Sequence, residues 1–519
     1  MKSLLFLPGN EITVPSWLLR LGGIFASALL VITSAQSNHL ALLALVWMLP
    51  LLYAIKGSSP IQAAILSGFC ALLFWAGSIW WLLPASLAFS HAIVAVAICV
   101  YLLSCCWLAF PYALFAYVYN RFNLTSSIAG CWTASAILTI LLVLIPSPIP
   151  GLPLHALHIY PRLLAIIDLS GMSTAIFAFT LFQLLIWKTL DGHAGTRRLA
   201  FVQLLLLAFL VSGYGIFRNH QYQYEKSHSS PEQWLHTAFI QPNLHRQDNL
   251  QSLFSLSEKL LQKSKPDLLV WPEFPPAFSI IDNKVNRRDT LAFSKDHQTP
   301  LLVVSGYVYA RQNNHIDRQH YYSAAHLIDN GTVSGTYYKQ RLVPFFEYLP
   351  GRLQFPALAA GFPHALNYLA GHSNTPLHYS SYIHIIPAIC YEAIFPSLVN
   401  KMVNEGGNIL INPVSDTWFG NSPGSRYHVS LAHFRSMEHH IPWLRVANSG
   451  ISMAVEANGD IITSSTTAMG VQAVQQQSLF IPAKRSLYSH LGDWLTPFLC
   501  IVVAFSIHRR RFNTFPFSS

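Results

Sequence analysis

Ile383-His384-Ile385-Ile386-Pro387-Ala388-Ile389-Cys390-Tyr391-Glu392 is an apolar run that ends on a thiol and a carboxylate. A run this short and apolar reads as a buried strand. The carboxyl ends of such strands are where sites in α/β domains gather. Similar runs at 237–240, 268–271, 301–304 and 408–411 alternate with helical spacing at 250–263 and 430–440. Together they predict an α/β domain over about 235–484. Asn330-Gly331 and Asn458-Gly459 mark hairpin turns, and Gly406-Gly407 a turn ahead of a strand.

Two further strand ends carry reactive groups: Trp271-Pro272-Glu273 and Tyr337-Tyr338-Lys339-Gln340-Arg341. With Cys390 they supply a carboxylate, a cation and a thiol. A thiol attacks only as thiolate and the free group ionises near pH ~8.5, so a base must take its proton while a cation favours the anion. Glu273 and Lys339 suit those two tasks. A cation placed there, with the backbone N–H after the nucleophile, can also stabilise a tetrahedral oxyanion, worth about 3 kcal/mol per donor.

Glu273, Lys339 and Cys390 in this order, with these flanks, resemble the nitrilase or carbon–nitrogen hydrolase superfamily. The resemblance implies an αββα sandwich in which Glu273 is general base, Lys339 orients and stabilises, and Cys390 forms an acyl-enzyme. Over the whole chain the likeness narrows to the apolipoprotein N-acyltransferase family, in which membrane spans enclose such a domain. Lys339-Gln340-Arg341-Leu342-Val343-Pro344-Phe345, then Glu347-Tyr348-Leu349-Pro350, agree with it. So do Ser415-Asp416-Thr417-Trp418-Phe419-Gly420 and the closing residues Arg445, Asn448, Gly450 and Ile451. Glu347 carries over as a second active-site carboxylate, with Tyr391, Glu392 and Trp418 as supporting or substrate-binding residues. Phe346 departs from the family, which usually has Gly there, and Asn249-Leu250 stand where it often has Lys-Trp. The implied reaction moves a fatty acyl chain from a phospholipid donor, through a Cys390 thioester, to the amine of a diacylglyceryl-cysteine apolipoprotein.

Composition fits a chain that joins two solvents. The 519 residues are 52% hydrophobic and 10% charged, against about a quarter charged in ordinary soluble chains. Spans need about 20 apolar residues. Runs near that length occur at 17–35, 38–55, 60–83, 91–118, 126–146, 162–189, 198–217 and 489–507. The expected architecture is therefore a bundle of about eight helices. Seven spans in 1–217 precede the nitrilase-like domain at 235–484, and one at 489–507 follows it. Lys2, Lys56, Arg121, Lys188, Arg197, Arg198 and Arg509-Arg510-Arg511 fall on one side, with Arg162 the exception. That places them in the cytoplasm and the large domain in the periplasm of a bacterial inner membrane. Thr33-Ser34-Ala35 would suit a signal-peptide end, but Arg20 inside the segment favours a span. Asp168 in the sixth expected span reads as a hydrated structural carboxylate near the outer interface.

The formal charge of +10 has no long basic run, so membrane lipids, not nucleic acid, are the expected partners. Of seven cysteines only Cys390 falls in the soluble part, which excludes a disulfide framework there. The 23 histidines, among them His433, His439 and His440 beside Glu438, lack zinc spacing, so neither metal nor cofactor is expected. His428 reads as a surface residue in preference to a pocket one. Trp418 and Phe419 suit either an acyl-chain entrance or an interfacial anchor. Two other functions remain open. A tethered amidase would give the same acyl-enzyme to water, and a transporter or sensor would keep the domain only for binding.

Overall fold

The computed structural model describes residues 16–89, 93–147, 149, 151–244, 250–273, 279–312, 315–351, 366–420 and 422–512. At 88–89, 125, 311–312, 315–319, 418 and 506–512 it describes backbone alone. The first half is helical: α1 (Trp17–Gln36), α2 (Asn38–Ile55), α3 (Pro60–Ser78), α4 (Leu82–Phe89), α5 (Val94–Arg121), α6 (Ile128–Leu144), α7 (Met172–Asp191) and α8 (Ala194–Ser227). Six of these helices are long and apolar enough to cross a membrane, while α6 and Leu495–Phe505 are shorter apolar helices. Large apolar side chains such as Ile61, Leu103 and Phe209 point outward, as a lipid-facing surface requires. Ser59 and Gln62 exchange side-chain and backbone bonds at the start of α3, a capping box with Pro60 in the first turn.

Two polar residues inside apolar stretches have structural explanations. Arg20 is buried and donates to the carbonyls of Ala54 and Lys56, at the carboxyl end of α2, where a cation is favoured. The expected span at 162–189 is broken instead of continuous. Short helices Pro161–Leu164 and Ile167–Ser170 precede α7, separated from it by Gly171 in the left-handed region at φ +67°. A Cβ at Gly171 would also lie 2.6 Å from the Tyr488 ring. Asp168 is therefore outside the long helix, and it is buried, not hydrated. It accepts from Arg218 Nε and the Tyr214 hydroxyl at 2.7 Å each, and lies 3.0 Å from His440 Nε2.

The second half folds as two stacked six-stranded sheets. The first has the order β12-β1-β2-β3-β4-β5, with β1 (Trp234–Gln241), β2 (Leu268–Val270), β3 (Leu301–Gln312), β4 (His315–Asp329), β5 (Thr332–Tyr338) and β12 (Ala473–Phe480). The second has the order β11-β10-β9-β8-β7-β6, from β6 (Leu377–His378), β7 (His384–Pro387), β8 (Ile409–Val414), β9 (Trp443–Ala447), β10 (Met453–Val455) and β11 (Ile461–Ile462). Both hairpins form at the expected turns, with positive φ at Asn330, Gly331 and Gly459.

Alternation explains why the strands are apolar on both faces. Leu235, Phe239, Leu268, Val270, Leu302 and Val304 join the core shared with the second sheet. Their neighbours Ala238, Ile240, Leu269, Trp271, Leu301 and Val303 pack on helices α9 (Gln251–Leu261) and α10 (Lys284–Asp296). On the other side lie α11 (Pro396–Asn404) and α12 (Gly424–His439), which complete an αββα sandwich.

Every residue of α12 except the exposed Arg426 is buried, although the helix carries Arg435, Glu438 and three histidines. It lies between the sheet and the helical region, touching α1 and the 153–170 segment. Many of its polar groups find partners. His433 pairs with His158 at 3.0 Å and with the Gly459 carbonyl, Arg435 with Glu438 at 2.9 Å, and His439 with Ser489. The Asp168 cluster extends this seam to α8. Asp168→Ala leaves the partly buried Arg218 without its carboxylate and should cost about 2 kcal/mol. Thermal unfolding of the detergent-purified variant checks this, and an unchanged midpoint would contradict it.

Candidate active site

Parallel pairing aligns the carboxyl ends of β1, β2 and β3 in one sheet and of β7, β8 and β9 in the other, and the site residues follow the ends of β2, β5 and β7. Trp271 anchors the first, its backbone N–H donating to Leu302 and its indole to Ser257 at 3.0 Å. Pro272 has no N–H to continue the ladder, so the chain leaves the sheet and presents Glu273. Lys339 follows β5, with its backbone bonded to Ser323 and Gly371. Cys390 opens a 3₁₀ turn directly after β7, with φ +52°. A non-glycine residue held there costs about 1–3 kcal/mol.

That strained turn is fixed from two sides. Asn412, on β8, donates from Nδ2 to the carbonyls of Ala388 at 2.6 Å and Cys390 at 3.1 Å. Arg445 holds Asn412 through Oδ1 and bonds Asp416 at 2.6 Å. On the other side Glu392 accepts from the Tyr337 hydroxyl at 2.8 Å and from the backbone N–H groups of Gln340, Arg341 and Ile389. Glu392 thus ties the Lys339 loop to the Cys390 turn. Burial pushes its carboxyl up to about 7.

Glu273, Lys339, Glu347 and Cys390 meet in one buried cluster. Lys339 is fully buried and its Nζ lies 2.6 Å from Glu347 Oε1 and 3.4 Å from Glu273 Oε1. The remaining Glu273 oxygen, Oε2, has no ordinary hydrogen bond among the described residues, and the carboxylate interacts with the Cys390 thiol. Burial raises the Glu273 carboxyl above its ordinary range, opposed by Lys339 and reinforced by Glu347. Burial alone would depress Lys339, but the two carboxylates hold it well above normal. Burial and the Glu273 charge push the thiol well up, against the pull of Lys339. At rest Cys390 is a thiol with a carboxylate beside it.

Glu347 also accepts from Val343 N–H at 2.8 Å, which fixes its loop. The left-handed residue of that loop is Phe345 (φ +67°), not Phe346, so Phe346 accommodates a side chain and turns it into the neighbouring cavity. This cavity, about 170 Å³, is almost wholly apolar and starts at Cys390. Tyr391, Phe346 and Phe419 line it from the sandwich; Trp81, Leu82, Ala85, Val100 and Ser104 line it from the helical region. Phe419 meets the Trp81 ring edge to face at 4.9 Å. The Trp418 side chain and Asn249 lie outside the described residues.

His428 is not on the surface. It is buried, lines the same cavity and sits 3.2 Å from Asp416 Oδ1. Burial and the Arg445 charge hold it below its normal pKa, hence neutral near pH 7. The sequence carried no local signal for this, because the cavity wall is built from separate segments. Asn412 and Tyr337 likewise went unread: a strand Asn and a strand Tyr look ordinary until their partners are known. Among the described residues no group of three His, Cys, Asp or Glu side chains forms a metal site.

The charge arrangement makes the thiol's titration a direct test. Removing the neighbouring negative charge in Glu273→Gln should lower the pH midpoint of Cys390 alkylation by iodoacetamide, and removing the cation in Lys339→Met should raise it. Shifts of the same sign in both variants would contradict the geometry.

Residues 236–479 match the carbon-nitrogen hydrolase family model. Over 518 residues the chain is 26% identical to an apolipoprotein N-acyltransferase of Geobacter metallireducens, covering 93% of this chain and 94% of that one. It is 28% identical over 310 residues to apolipoprotein N-acyltransferase 2 of Treponema denticola, covering 55% and 57%. It is 30% identical over 262 residues to the apolipoprotein N-acyltransferase of Rickettsia typhi, covering 49% and 50%. The chain thus spans about half the length of the latter two relatives. Among solved structures, an amidase from Nesterenkonia sp. aligns at 16% identity with a TM-score of 0.36, covering 50% of this chain and 92% of that one. This chain thus carries a carbon–nitrogen hydrolase domain at 236–479 beside helices long and apolar enough to cross a membrane, and over nearly its whole length it is similar to an apolipoprotein N-acyltransferase.

Proposed function

We propose that this protein transfers a fatty acyl chain from a phospholipid to the N-terminal amine of a diacylglyceryl-cysteine lipoprotein through a Cys390 thioester. The observation that carries the reading is the apolar cavity running from Cys390 to α4 and α5, because it joins a buried base and nucleophile to helices of a membrane-facing region. A water-soluble amide would gain little from such walls. An acyl chain gains about 0.8 kcal/mol for each CH₂ it buries.

In the first half-reaction Glu273 takes the Cys390 proton as sulfur attacks the donor's ester carbonyl. The carbonyl oxygen becomes an oxyanion facing the Lys339 ammonium, assisted by the Tyr391 backbone N–H. When the C–O bond breaks, the proton held by Glu273 goes to the departing lysophospholipid oxygen. In the second, the acceptor amine attacks the thioester carbonyl, its proton passes to Glu273, the C–S bond breaks and the amide forms. Glu273 then returns the proton to sulfur. Glu347 keeps Lys339 in place and, through its charge, makes Glu273 a stronger base.

The reading includes its setting. Seven spans within 1–217 and a last one at 489–507 hold the domain at 235–484 on the periplasmic face of a bacterial inner membrane, where both lipid-anchored substrates reach Cys390. The excess of Lys and Arg on the other side supports that orientation.

Intact-protein mass spectrometry tests the chemistry. Wild type incubated with phospholipid should gain a hydroxylamine-sensitive acyl mass that Cys390→Ala does not, and a diacylated lipopeptide should remove it and acquire it on nitrogen. Steady hydrolysis of phospholipid or small amides with no adduct would establish a hydrolase instead. The cavity makes a second prediction. Ser104→Phe narrows it, so acylation by long-chain donors should fall about tenfold, the equivalent of ~1.4 kcal/mol, while a short-chain donor is spared. Equal losses for both donors would remove the cavity from the acyl-chain role.

A further inference from the structure

A second cavity, about 460 Å³, lies further along the same side of α5 as the one at Cys390. Ser104 and Val100 face the first; Trp107, Leu108, Pro111 and Tyr112 face the second. Ile394 lines both, so a single side chain of the nucleophile turn stands between them. The second cavity runs from apolar walls on α6 and α7, including Leu142, Val143 and Ile176, to a polar end on α11 and α12.

The polar end is incompletely satisfied. Trp75, Tyr112 and Arg435 are 3%, 2% and 1% exposed. Their indole Nε1, hydroxyl and guanidinium Nε have no hydrogen-bond partners among the described residues. Asn400 Oδ1 is in the same state. All four side chains line this cavity. Buried polar groups are normally bonded, and a group of them around one space points to a missing occupant. Three of the four are donors, so that occupant presents oxygen acceptors. The apolar walls require that it also carry hydrocarbon. A cavity of this size and balance is in the range that encloses a ligand.

We infer that this cavity is a second lipid site, which takes a glycerophospholipid with its ester and phosphate oxygens against Trp75, Tyr112 and Arg435 and a chain along α6 and α7. The lipid comes from the bilayer through a mouth beside Trp107, Pro146 and Ser397, all at least partly exposed. The Trp107 indole, bonded to the Pro146 carbonyl at 2.7 Å, frames that mouth. Nothing in the binding involves Cys390, so the site stands whether or not the acyl-transfer reading holds.

The test is native mass spectrometry of protein released from nanodiscs of phosphatidylethanolamine and phosphatidylglycerol. Wild type and Cys390→Ala should both retain one noncovalent phospholipid. Ser397→Trp, an exposed position where folding is not at stake, blocks the mouth and should reduce occupancy about tenfold, as should the pair Tyr112→Phe with Asn400→Leu. Thermal midpoints of the variants exclude loss of fold as the cause. Wild type free of lipid would overturn the proposal. So would lipid retained in Ser397→Trp and in the double variant but lost in Ser104→Phe, because it would then belong to the cavity at Cys390.

Discussion

One ammonium shared by two carboxylates, all three buried, sets the terms for the rest of the molecule. Lys339 cannot neutralise both Glu273 and Glu347. The cluster carries a net negative charge next to the thiol when both acids are ionised, and an uncompensated buried charge is tolerated only where the surrounding structure holds it rigidly. The rigidity comes from backbone. Glu347 is pinned by Val343 N–H, Glu392 by three N–H groups and a phenol, and the Cys390 turn by Asn412. The Asn412–Arg445–Asp416 chain then connects the turn to α12 through His428 and Ser425. Burial opposes ionisation of Asp416, yet the Arg445 guanidinium holds its carboxyl well below the usual carboxylate range.

That connection makes α12 more than a covering helix. A helix buried on all sides is ordinarily apolar all round, and α12 is not. Its histidines, Arg435 and Ser436 bond to segments on both sides, so the sandwich and the helical region share one network instead of meeting across a greasy face. The consequence for the site is geometric. The cavity at Cys390 has one wall from each half, and its shape survives only if the halves keep a fixed relation.

The strands, the hairpins at Asn330-Gly331 and Asn458-Gly459, and the strand-end placement of Glu273, Lys339 and Cys390 were legible because each depends on local pattern: short apolar runs, turn residues and the polar group that follows. The convergence of those three ends was not legible from spacing and came through resemblance. The burial of Asp168 is not legible locally, because its partners Tyr214, Arg218 and His440 lie 46 or more residues further on. His428 was misread for the same reason, since its burial comes from Phe419, Asp416 and the α4–α5 wall and leaves no mark in its own neighbours. What escaped the sequence was tertiary in origin, and most of it was polar.

On the acyl-transfer reading the two halves of the chemistry need opposite surroundings, and the site supplies both within a few residues. Proton transfer to Glu273 needs fixed charges and hydrogen bonds, which are most effective where water is excluded. A thioester persists only where water cannot reach it. The wall of Phe346, Tyr391 and Phe419 around Cys390 meets the second requirement without weakening the first, because Glu273, Lys339 and Glu347 are not among the residues that line the apolar cavity. On the acyl-transfer reading this explains why the acyl group passes to an amine instead of to water: the bound chain fills the space that water would occupy, and the acceptor arrives with hydrocarbon of its own.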